Sequence, residues 1–167
     1  LKSRLWSLIL DTLDSFHAVA MNILKHAGRR ARAAAILERW GTTWQGPTRV
    51  LDFTHSNHGA CLHFNQFIGS MWVHVFTFHA TRKEGVFMKG PDTDRGRKSH
   101  KLRANRLDTS TLDALFEVWS AHPEARPAGN ALEFYLDEVP DETWEVCLQE
   151  ALACLAPAVG ALPPRER

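Results

Sequence analysis

Cysteine is scarce in this chain, long apolar runs are missing, and the net charge is almost nil. Each of these absences excludes a class of protein. The 167 residues contain three cysteines, Cys61, Cys147 and Cys154. An odd and sparse set builds no disulfide framework. Cys147 and Cys154 lie seven apart in a helical pattern, so they share a face and read as buried thiols. A reducing, cytoplasmic setting is the expectation that follows. The most apolar early stretch, Leu5 to Leu24, is interrupted by Asp11, Asp14 and His17. A membrane span needs about 20 predominantly apolar residues, and charges at its centre are costly. No membrane partner is therefore expected. A cationic start followed by a short apolar run and a small-residue cleavage site is also missing, so no targeting segment is read.

The familiar catalytic signatures are missing too. No Gly-x-Gly-x-x-Gly follows a strand, and there is no phosphate loop ending in Gly-Lys-Ser/Thr. No Gly-x-Ser-x-Gly elbow occurs. His79-Ala-Thr81 is similar to the His-x-Thr element of two-histidine phosphoesterases, but one copy stands where two are needed.

What is present is an ordinary globular composition, 44% hydrophobic and 23% charged, which excludes disorder of the whole chain. The length suits one domain with a real core. The spacing predicts a helix over 2–26, with Leu5, Leu8, Ile9, Leu13, Phe16, Ala20, Ile23 and Leu24 on one face and Gly28 as its stop. A second helix runs from Arg29 to Trp40 and ends before Gly41. The period then falls to two, and four strands follow: 49–54, 60–67, 71–81 and 86–89. Short connections carrying Asn57-His58-Gly59, Gly69 and Gly85 suit tight hairpins, hence an antiparallel meander. A third helix covers 110–121 behind a capping-box-like Ser110-Thr-Leu-Asp113, and Pro123 and Pro127 end it. A fifth strand, 131–137, and a last helix begun by Pro140, Asp141 and Glu142 complete the chain. The expected fold is a single α+β domain over 1–167. Its order is α-α-β-β-β-β-α-β-α, with a mostly antiparallel sheet packed with helices. A mobile basic loop is expected at about 90–108 and a frayed tail at about 157–167.

The small net charge hides a division. Residues 1–107 hold 17 Lys/Arg against 7 Asp/Glu, whereas residues 108–167 hold 3 against 12. Such asymmetry points to an anionic partner for the basic part or to attraction between the halves, within the fold or in a homodimer. Arg29, Arg30 and Arg32 sit at the start of a helix, where the dipole favours acidic groups, so they read as serving a partner.

Four groups of residues could carry chemistry. Arg95, Arg97, Lys98, Lys101, Arg103 and Arg106 crowd into twelve residues of the unpatterned segment. Cations in such a run neutralise phosphates and release counterions, the main source of nonspecific affinity for DNA or RNA. The leading expectation is thus a nucleic-acid-associated accessory module. The second group is a sheet face. If Leu51, Phe53, Leu62 and Phe64 meet the helices, then Asp52, Thr54, Cys61, His63 and Asn65 point away. His63, Asn65, Trp72 and His74 could then stack bases, unless helices cover both faces of the sheet. Third, His55, His58, Cys61 and His63 offer imidazole and thiolate ligands for zinc or another divalent metal around one hairpin. A metal there would make the chain a hydrolase or nuclease. Strand parity opposes this, since His55 should face away from Asp52. Fourth, Glu133, Asp137, Glu138, Asp141, Glu142, Glu145 and Glu150 form a run without Lys or Arg. It suits a divalent cation or a basic protein partner, the latter in an interaction or inhibitor domain.

Overall fold

The computed structural model describes residues 2–69, 71–91 and 110–158. Two helices, α1 (Lys2–Ile23) and α2 (Ala27–Thr43), precede four strands, β1 (Arg49–Ser56), β2 (Gly59–Ile68), β3 (Met71–Thr81) and β4 (Gly85–Gly90). Then come α3 (Ser110–Ser120), β5 (Arg126–Ala128), β6 (Ala131–Tyr135) and α4 (Asp141–Leu155), which ends in one 3-10 turn. The sheet is antiparallel throughout, in the order β1-β2-β3-β4-β6-β5. The expected α+β architecture and element order are therefore present. None of the described helices is long and apolar enough to cross a membrane.

The differences from the sequence reading are local and physical. β5 was read only as a proline-punctuated stop. Pro127 cannot donate to a ladder, but an edge strand tolerates that, and β5 is the edge next to β6. Gly28 lies inside α2 rather than stopping α1, which ends at Ile23. Gly41 continues α2 instead of ending it. A Cβ at that position would meet Leu13 Cδ1 of α1 at 2.9 Å, so the glycine is where the two helices close on each other.

One face of the sheet and the helices enclose the core. Trp40 of α2 sits at its centre, edge-on to Phe76, Phe78 and Trp144 with ring centroids 5.3, 5.4 and 5.9 Å away. Phe64, Trp119 and Phe134 complete the aromatic cluster. Strand pairing explains why one face receives these rings, since Phe64 is opposite Phe76, Leu62 opposite Phe78, and Met88 opposite both Phe78 and Phe134. α1 covers the β1 end of the same face, where Leu51 and Ala60 are buried. Edge-to-face rings add to the burial of area that drives folding.

Part of the charge division is met within the fold. Arg29 pairs with Asp137 at 3.4 Å, and Arg39 with Glu145 at 2.8 Å. Arg32 donates to Asp141 at 2.6 Å, to the Leu136 carbonyl at 2.5 Å and to the Val139 carbonyl. Arg126 pairs with Glu138, and Arg30 donates to the Leu24 carbonyl at 2.5 Å. Of the arginine cluster of α2, read as serving a partner, Arg29 and Arg32 tie that helix to the segment leading into α4 and Arg30 ties it to the end of α1. The helix dipole disfavours those arginines, but carboxylates supplied from elsewhere in the chain offset it.

Candidate functional site

The opposite face of the sheet carries no described helix and is rich in polar and aromatic side chains. Two-residue hairpin turns set its rows, because Ser56 pairs with Gly59 and the register runs back from there. One row crosses five strands as Thr54, Cys61, His79, Phe87 and Tyr135. The next crosses six as Asp52, His63, Thr77, Lys89, Glu133 and Arg126. His79, Phe87 and Tyr135 stack face to face at 4.9 and 5.0 Å, and Arg126 caps the Tyr135 ring at 4.6 Å.

A β-bulge shapes the middle of this face. Strict alternation along β3 would send His74 to the helix side with Phe76 and Phe78. The register shifts between Phe64 and Asn65, so that His74 pairs with Asn65 while Phe76 still pairs with Phe64. One extra residue on β3 restores His74 to the outer face, the usual effect of a bulge. Its Nε2 lies 3.3 Å from His63 Nδ1, and both imidazoles contact the buried Thr77 hydroxyl, His63 at 3.0 Å. Thr54 Oγ1 meets the other nitrogen of His63 at 2.9 Å. These groups border a cleft of about 220 Å³ lined by His63, His74, Thr77, His79, Lys89 and Gly90. Beyond it, Trp72 packs on Phe67 at 5.4 Å and remains 42% exposed.

The imidazoles and the thiol at the centre of this face favour their neutral forms. Burial, assisted by the Lys89 and His63 charges, pushes the His79 imidazole down to about 4. Burial also lowers the His63 imidazole, against the pull of Asp52, and raises the Cys61 thiol. Cys61 Sγ lies 3.3 Å from His79 Nδ1, but a thiol held up beside an imidazole held down is a neutral pair. An activated cysteine needs the reverse arrangement. The site is built to present neutral rings and hydrogen-bonding edges.

The sequence-predicted residues fall into three sets. Cys61 and His63 stand on this outer face. His55 pairs with the buried Ala60 on the helix side, and with His58 it lines a separate cleft of about 230 Å³ closed by Val19, Ile23 and Arg82. The sheet thus divides the hairpin quartet two and two, as parity requires. Arg95, Arg97, Lys98, Lys101, Arg103 and Arg106 lie outside the described residues, as does the tail beyond 158. Among the described residues, three metal-binding side chains converge elsewhere, at His122, Cys147 and Glu150. Thr77, Phe87 and Lys89 were missed as site residues, although alternation along β3 and β4 carried the signal for them. Concerning known proteins, no family model, no curated protein and no solved structure matches the chain.

Proposed function

We propose that the chain is a nucleic-acid-binding accessory module whose outer sheet face receives unpaired bases while the 95–106 segment neutralises phosphates. One observation carries this reading. The described helices all occupy one side of the sheet, leaving the other with the exposed Trp72 and His74 beside the half-buried His63. Aromatic and imidazole rings on a sheet stack bases with little regard to sequence, at about 1–3 kcal/mol per base. Lys89 and Gly90, which line that cleft, precede the 95–106 segment by a few residues in the chain.

The competing readings fare less well. A protein-interaction or inhibitor domain built on oppositely charged halves would need those charges for a partner, yet Asp137, Glu138, Asp141 and Glu145 each hold an arginine of the same chain. A hydrolase centred on the hairpin would need His55, His58, Cys61 and His63 on one side of the sheet.

Fluorescence anisotropy with labelled single-stranded RNA, single-stranded DNA and duplex DNA across a salt series tests the proposal. Single strands should bind at low salt and weaken as salt rises, with a log–log slope of about −0.7 per phosphate contacted. Replacing Trp72 by Ala should weaken binding by roughly tenfold, the loss of about one stacked base. Neutralising Arg97, Lys98 and Lys101 should flatten the salt slope. No binding at low salt, or no response to either change, would end this reading.

A further inference from the structure

A second site lies on the far side of the core, where the turn after α3 meets the last helix. Nε2 of His122, Sγ of Cys147 and a carboxylate oxygen of Glu150 all fall within 4.8 Å of one another, and His122 Nε2 is 2.5 Å from Glu150 Oε1. Cys147 and Glu150 are three residues apart on α4, hence neighbours on one helix face. His122 reaches them from the turn. Cys147 is fully buried and the other two are half-buried, so the group is shielded from solvent on most sides.

A tetrahedral ion with nitrogen, oxygen and sulfur ligands at about 2.0–2.3 Å sets its donors roughly 3.3–3.8 Å apart. To reach that size the His122–Glu150 pair opens from 2.5 Å while Cys147 keeps its place within 4.8 Å of both. A neighbouring carboxylate also lacks a partner. Glu124, two residues beyond His122, has a carboxylate oxygen, Oε2, that is buried and has no hydrogen-bond partner. A carboxylate oxygen desolvated without a partner costs roughly 1–3 kcal/mol or more, and a cation would supply the missing interaction.

We propose that His122, Cys147 and Glu150 form a structural site for a divalent ion of the zinc class, with the fourth position left to a water or to the neighbouring Glu124. Imidazole and thiolate among the donors disfavour magnesium and calcium, which take oxygen. Held by donors from two elements around the buried Cys147, the ion clamps the α3–β5 turn to α4. On binding, the Cys147 sulfur exchanges its proton for the metal, and that proton passes to solvent.

The whole chain, stripped with chelator and titrated with cobalt(II) and with zinc(II), decides the matter. Cobalt should bind one to one and develop the near-ultraviolet sulfur-to-cobalt absorption of thiolate ligation together with visible bands of tetrahedral intensity. Zinc should displace cobalt and raise the melting temperature. H122A and E150Q should each weaken binding at least about tenfold, and C147S should abolish the sulfur absorption. E150Q changes a half-buried side chain, so its fold, checked by far-ultraviolet circular dichroism, should survive even if C147S disturbs the core. H55A/H58A should bind metal unchanged. Cobalt binding without the sulfur absorption, or affinity indifferent to H122A and E150Q, would overturn the site. Because the outer sheet face is untouched, E150Q should leave nucleic-acid binding as it was.

Discussion

The two faces of the sheet are built from the same strands and the same alternation, yet they solve different problems. Toward the helices, Leu62, Phe64, Phe76, Phe78, Met88 and Phe134 meet four tryptophans in a buried layer. Away from them, Cys61, His63, Thr77, His79, Phe87 and Lys89 form rows of polar and ring-bearing side chains. The contrast teaches where stability and recognition reside. The helix face holds the chain together by exclusion of water, and the outer face is free to carry groups that packing alone would not select. Substitutions on the two faces should accordingly separate loss of folding from loss of binding.

The sharpest separation comes from Trp40. Removing its ring opens a void among five aromatic neighbours, and W40A should cost about 3–5 kcal/mol in urea unfolding. A loss under about 1 kcal/mol would mean that the helix face is not the structural core. Arg32 comes next. It holds Asp141 and two carbonyls at the entry to α4 and is only 29% exposed. R32A should cost roughly 2 kcal/mol, the scale of losing charge-assisted hydrogen bonds. R32A should leave binding at the outer face unaltered.

A smaller effect is set by pH. In the unfolded chain the His79 imidazole takes up its proton near 6.5, whereas in the fold burial holds it neutral down to about 4. Between those values the unfolded state binds more protons, so stability should fall as the pH drops through this window. Denaturation midpoints from pH 7 to pH 4 should show the decline, and His79→Phe should flatten it. An equally steep decline in that variant would place the responsible group elsewhere. The least stability effect belongs to Trp72. Its half-exposed ring touches Phe67, and W72A should change unfolding free energy by under about 1 kcal/mol while reducing single-strand binding. A large stability loss in W72A would erase the distinction between the faces.

Much of this contrast was legible in the chain. The change of period after Thr48 and the glycines at the turns marked the strands, and Asn57-His58 placed Asp52, Thr54, Cys61 and His63 together on one face. His74 was grouped with His63 on that face, although strict alternation does not put it there. Periodicity along β3 pairs it with Phe76, and only the shift of register opposite Phe64 and Asn65 brings it beside His63. A bulge is a property of two strands held in register, which one strand's sequence does not encode. β5 was hidden for a related reason, since Arg126-Pro-Ala has no strand pattern of its own and is a strand because β6 is beside it. The arginines of α2 looked unsuited to their position until the carboxylates about a hundred residues later came into contact with them.

Local physics along the chain therefore determined the elements, their order and the antiparallel connection of the first four strands, because apolar spacing and turn chemistry act over a few residues. Only the tertiary structure decided that the described helices gather on one side of the sheet, that a bulge in β3 turns His74 outward, and that His122 meets Cys147 and Glu150. Those outcomes depend on contacts between residues far apart in sequence, whose closure is settled by the collective packing of the core around Trp40.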